Sequence, residues 1–117
     1  MSEHAFDVEI AGDSAVVRAS GELDLSTAPA LERAIAGPLG DPAIRSITLD
    51  LRPLRFIDST GLRIVLTTDG RLRAEGRGFQ VIKGPPSVHR VFELALLEER
   101  LDLVDGDRAT ADGAGAS

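Results

Sequence analysis

Residues 47–62 read Ile47-Thr48-Leu49-Asp50-Leu51, then Arg52-Pro53-Leu54-Arg55-Phe56-Ile57, then Asp58-Ser59-Thr60-Gly61-Leu62, and the fold is decided there. Ile47, Leu49 and Leu51 alternate with polar residues, the period of a strand with one buried face. Asp58 is a good N-cap, and Leu62, Val65 and Leu66 follow at helical spacing. Ser59 and Thr60 then fall in the first turn, where backbone N–H groups lack intrahelical partners and the helix dipole is positive. Gly61 has no side chain, so a partner could approach the backbone closely. Two readings stand at this point. Capping alone accounts for an Asp-Ser-Thr run before an apolar helix, and two hydroxyls at a helix start also suit a phosphate-dependent switch.

Working outward, Phe6, Val8 and Ile10 alternate before Gly12-Asp13, and Ala15 to Ala19 completes an antiparallel hairpin. Ser26 or Thr27 opens a helix with Pro29 in its first turn and an apolar stripe of Ala28, Leu31 and Ile35. Gly37-Pro38 is expected to break it. The Ser59 helix is expected to run to about Glu75 despite Gly70, with Gly76 and Gly78 ending it. Phe79 to Ile82 form a short strand, and Pro85 or Pro86 starts a helix carrying Val88, Val91, Phe92 and Ala95. Leu101 and Leu103 suit a last extended segment. A hairpin followed by alternating helices and strands predicts an α/β domain whose mixed sheet carries parallel crossovers. The expected domain is residues 1–104. Residues 105–117 are small and polar, and read as a disordered tail.

The 117 residues suit one domain, and a 43% hydrophobic content with 3% aromatics makes a core of aliphatic residues around a few Phe. Without cysteine there are no disulfides or thiolate metal sites. No apolar run approaches the about 18 residues of a membrane span, and the N-terminus lacks a signal-peptide pattern. These features predict a cytoplasmic protein. A net charge of −6 disfavours direct nucleic-acid binding. Residues 45–90 nevertheless hold nine Lys/Arg against four Asp/Glu, with Arg52, Arg55 and Arg63 bracketing Ser59. Such a zone is either solvated surface or a charge-complementary docking face.

Enzyme chemistry finds little support. A Ser-His-Asp hydrolase needs a histidine to activate Ser59, and neither His4 nor His89 sits in a motif. The Gly-x-Ser-x-Gly elbow and the Gly-x-x-x-x-Gly-Lys-Ser/Thr loop are both absent. Asp24 and Asp58 are distant in sequence, which by itself proves no carboxylate pair. No catalytic residue, metal ligand or cofactor is assigned.

The segment Phe56 to Leu62, preceded by Gly21-Glu22-Leu23-Asp24 and Ile47 to Leu51, and followed by Gly84-Pro85-Pro86 before Val88, Val91 and Phe92, resembles the STAS family. The resemblance spans residues 5–104. It implies a single STAS-like domain and the role of a bacterial anti-sigma-factor antagonist, regulating transcription by partner switching. The implied partners are an anti-sigma factor that is also a serine kinase, and a serine phosphatase. The resemblance assigns phosphorylation to Ser59, places the Asp24 loop near it, and makes Glu22, Asp24, Asp58, Ser59, Thr60, Gly61 and Arg63 the switch surface. By the same resemblance Asp24 helps position the Ser59 hydroxyl. Arg63 departs from the family pattern, where Gly is common. The alternative is a non-phosphorylated STAS accessory subunit of a transporter or sensory complex.

Overall fold

The computed structural model of the chain describes residues 5–106; His4 and most of the expected tail lie outside them. Strands β1 (Ala5–Ala11) and β2 (Ser14–Leu23) pair antiparallel across a turn in which Gly12 takes a φ of 63°. That left-handed value is strain-free only for glycine. Then come α1 (Ala28–Gly40), β3 (Ser46–Asp50), β4 (Leu54–Ile57), α2 (Ser59–Ala74), β5 (Gly78–Ile82), α3 (Pro86–Leu94) and β6 (Leu103–Val104). The sheet order is β1-β2-β3-β5-β6, and every pairing after the hairpin is parallel. Strand β2 is shared: its first half pairs with β3, and after a register shift at Gly21/Glu22 its end pairs with β4.

Alternation explains the core. Ala15, Val17, Ala19 and Leu23 of β2, and Ile47 and Leu49 of β3, are buried with Leu51 just beyond. Leu31 and Ile35 of α1 and Leu62, Val65 and Leu72 of α2 join the same cluster. Each Val, Leu or Ile side chain among them contributes about 1.5–3 kcal/mol by leaving water. Leu66 packs only partly against it. The opposite face of the strands carries cross-strand polar pairs instead: Ser14 Oγ to Ser46 Oγ at 3.0 Å, and Gln80 Nε2 to Thr48 Oγ1 at 3.4 Å. Among the described residues no helix is long and apolar enough to cross a membrane.

Several expectations change. Gly37-Pro38 does not break α1, which continues to Gly40 with Pro38 inside its last turn. The reason is Arg77, whose buried guanidinium donates to the carbonyls of Pro38 (2.9 Å), Leu39 (2.8 Å), Asp41 (3.1 Å) and Ile44 (2.8 Å). It thereby binds two carbonyls of the last turn, Pro38 and Leu39, and two of the loop that follows, and ties the helix end to that loop. Asp50 was expected on the solvated side of β3 but is 1% exposed, paired with Arg52 at 2.9 Å and Arg18 at 3.4 Å. Burial alone would raise its pKa; the side-chain and backbone hydrogen bonds from Arg52 outweigh that and hold it below the usual value. Val8 and Ile10 lie on the outer strand and stay 39% and 53% exposed. Ala95 is exposed rather than in the α3 stripe. The next residue, Leu96, closes α3 at a φ of 59°, with its N–H on Glu93 O and Leu97 N–H on Phe92 O. Asp105 pairs with Lys83 at 3.5 Å, and Gly106 packs against the Arg52 side chain. The first two residues of the expected tail therefore lie on the domain.

Candidate functional site

The parallel β2–β4 pair creates the site. Glu22 lies opposite Phe56 and Leu23 opposite Ile57, and the Asp58 N–H donates to Leu23 O at 3.1 Å. Asp24 and Asp58 thus leave the sheet from adjacent strand ends, although 34 positions apart in the chain (58 − 24).

At α2, Asp58 is extended (φ −119°, ψ −171°), and its carboxylate accepts from Thr60 N at 2.9 Å and Gly61 N at 3.2 Å. Those bonds satisfy two orphan donors of the first turn. Ser59 is the first helical residue and is exposed, and its hydroxyl has no hydrogen-bond partner among the described residues. Thr60 follows, half-buried. Gly61 is buried, and an added Cβ would lie 2.7 Å from Leu23 Cγ and 2.8 Å from Ile57 Cγ1. This corrects the expectation that Gly61 admits an outside partner. The close approach it permits is to the chain's own β2 and β4, and it seats the helix start against the strand ends. Arg63, one turn further, is exposed.

The neighbouring loop is more tightly bonded. Asp24 accepts from the Ser26 hydroxyl at 2.7 Å, the Ser26 amide at 3.0 Å and the Thr27 amide at 3.2 Å. The Ser26 hydroxyl, opposed by a smaller desolvation effect and aided by the two amides, keeps the Asp24 carboxyl below its ordinary pKa. Thr27 is buried; its hydroxyl donates to Glu22 O at 2.9 Å and accepts from Asp24 N at 2.9 Å. Asp24 was expected to position the Ser59 hydroxyl. No hydrogen bond joins them among the described residues; the bonds to the Asp24 carboxylate all come from its own loop and end on Oδ1.

Glu22 crosses from β2 to β4 as an ion pair with Arg55 at 2.6 Å. Arg52 is held by Asp50. Of the three cations that bracket Ser59, only Arg63 has no ion pair among the described residues. Sequence reasoning missed two exposed apolar neighbours: Leu25, 76% exposed, on the loop after β2, and Phe56, 48% exposed, within β4. The available signal was Leu25 set between Asp24 and Ser26, and Phe56 next to the Asp58 motif.

Asp24 and Asp58 form no convergent metal-ligand group among the described residues. His89, Glu93 and Glu98 do bring ligand atoms within 4.8 Å of one another. The His89 Nδ1 atom, however, is buried without a partner, whereas Nε2 lies 3.2 Å from Glu98. A metal on Nε2 would force the ring proton onto Nδ1, which has no acceptor there.

The comparisons agree with this architecture. A curated relative, the anti-sigma-B factor antagonist of Staphylococcus aureus (strain NCTC 8325 / PS 47), is 28% identical over 90 residues, covering 77% of this chain and 82% of its own. The crystal structure of an anti-sigma factor antagonist from Mycobacterium paratuberculosis superposes with a TM-score of 0.83 at 33% identity, over 92% of both chains. The anti-sigma factor antagonist SpoIIAA in its unphosphorylated form gives a TM-score of 0.77 at 25% identity, over 95% of this chain and 97% of that one. These relatives are named as antagonists of regulatory factors, not as enzymes. The family model described as "Mlab, STAS domain" matches residues 6–105, and the chain belongs to the STAS-domain family.

Proposed function

We propose that this protein is an anti-sigma-factor antagonist whose unphosphorylated form binds an anti-sigma factor, and that phosphorylation of Ser59 by that same partner releases it. The observation that carries the reading is the division of labour at α2. Asp58 does the capping, which leaves the Ser59 hydroxyl exposed and uncommitted. Leu25 and Phe56 supply apolar contact area on either side, and the relatives' printed roles support the choice of partner.

The chemistry is a phosphoryl transfer. The Ser59 Oγ attacks the γ-phosphorus of ATP in the kinase site, the bond to the β-phosphate oxygen breaks, and ADP leaves. The hydroxyl proton passes to a base of the kinase. The product adds about −1.5 to −2 charge at pH 7, next to Asp58 and close to the strand end that carries Asp24. In a packed interface, a penalty of ~3 kcal/mol corresponds to roughly hundredfold weaker binding. A serine phosphatase reverses the change by hydrolysis.

Phosphopeptide mapping of residues 54–71 after reaction with the bound anti-sigma kinase and magnesium-ATP tests this. Phosphate is expected on Ser59, with Ser59→Ala still binding the partner and resisting release. Phosphate on Thr60 alone would overturn the residue. A bound partner that transfers no phosphate would instead favour a non-phosphorylated accessory subunit.

A further inference from the structure

We propose that Arg63 is the internal counter-ion of phosphorylated Ser59, closing an ion pair across one turn of α2. The proposal rests on the reading of Ser59 as a phosphorylation site and adds to it a property of the phosphorylated state. Three observations carry it. Ser59 and Arg63 are four residues apart on α2, and both are exposed; side chains at that spacing are neighbours on a helix surface. Arg52 and Arg55, the other cations near the site, are held by Asp50 and Glu22. Arg63 has no ion pair among the described residues, although Glu32 lines the same groove between α1 and α2.

Charge order on the helix favours the pair. An anion N-terminal to a cation at this spacing is the favourable orientation, and a guanidinium can meet two phosphate oxygens at once. The groups around the phosphate are the Asp58 carboxylate, already bonded to two amides; the Asp24 carboxylate of the adjacent loop; the Glu22–Arg55 pair; and the positive dipole end of α2, whose Thr60 and Gly61 amides Asp58 holds. Arg63 is the exposed cation among them with no ion pair in the described residues, so it pairs with the phosphate when the phosphate arrives. The pair stabilises the dianion and draws it along the helix, away from Asp24.

The test installs phosphoserine at position 59 by genetic encoding, so it needs no kinase. Its failure and a failure of Ser59 to be a natural kinase substrate are therefore separate results. Phosphorus NMR titration at low ionic strength reads the second phosphate pKa. That value is expected to rise by about half a unit in Arg63→Gln and to stay near wild type in Arg63→Lys. In about 1 M salt, where the screening length is only about 3 Å, the difference should shrink. Arg71→Gln, two turns further along and paired with Glu75, should leave the value unchanged. Identical titrations in wild type and Arg63→Gln would overturn the proposal. Equal shifts in Arg63→Gln and Arg71→Gln would also overturn it, since net charge rather than a pair would then be at work.

Discussion

Helices α1 and α2 both leave adjacent parallel strands through an aspartate followed closely by two hydroxyl residues, yet the two starts are built for different ends. At α1, Asp24 binds Ser26 and Thr27, and the Thr27 hydroxyl bridges back to Glu22 O and Asp24 N. Both hydroxyls are committed to structure. At α2, Asp58 binds only backbone amides, and the Ser59 hydroxyl stays available. The same residue types thus give one corner whose hydroxyls are bonded and one whose Ser59 hydroxyl is exposed and unbonded, side by side. The lesson is that a hydroxyl at a helix start is left uncommitted when a neighbour has already done the capping.

The largest expected effect is beneath the Ser59 corner. Gly61→Ala should cost about 2–3 kcal/mol, because its Cβ overlaps two buried side chains that cannot both move aside. Gly70→Ala, in the same helix but with open space around it, should instead gain about 0.5–1 kcal/mol. Urea midpoints of the two variants read the contrast. Equal behaviour would mean that α2 does not depend on close seating against Leu23 and Ile57.

The hydroxyls themselves come next. Thr27→Val keeps the shape but removes two bonds at a buried site, and should cost about 1–2 kcal/mol. Ser59→Ala should fall within about 0.5 kcal/mol of wild type. Thermal or urea unfolding of both would break the comparison if Ser59→Ala proved the more damaging.

The smallest effect is a local one with acid. Because the Asp24 pKa is lowered from 3.8, its contribution is complete above that unfolded value and is lost as pH falls through the lower folded one. The amide resonances of Ser26 and Thr27 should report this transition, shifting below pH 3.8 as the carboxylate protonates and stops accepting their hydrogen bonds. An Asp24→Asn variant, whose side chain does not titrate, should leave them flat over that range. The readout is local because Asp50, in another part of the sheet, is shifted in the same direction.

The repeating parts of this fold were legible in the chain. Ile47, Leu49 and Leu51 marked their strand by alternation, and Asp58 marked the start of α2 by its capping chemistry. What escaped notice depended on groups far apart in sequence. Strand β4 is four residues long with exposed Arg55 and Phe56 at its centre, so it has no alternation to read; it exists because the end of β2 needs a partner. Helix α1 outlasts Gly37-Pro38 because Arg77, 36 to 39 residues away, reaches the carbonyls beyond the break. Asp50 is buried because Arg18 and Arg52 converge on it. At the site, the candidate residues were legible from one motif and its resemblance. Which hydroxyl was already bonded, and which arginine lacked a partner, required coordinates.

The parallel pairing also sets an order of assembly. Ser14 meets Ser46, and Thr48 meets Gln80, each across 32 residues. Among the described strands only the β1–β2 hairpin closes locally, and chains are made N-terminus first at about 5–20 residues per second. On the ribosome, β3 therefore has one neighbour long before the other, with its second edge open until residues 78–82 have been made. The Ser59 corner is different: β2, β4 and the opening turn of α2 all lie before that point in the chain. The strands that frame Ser59 are present while the sheet behind it is still half built.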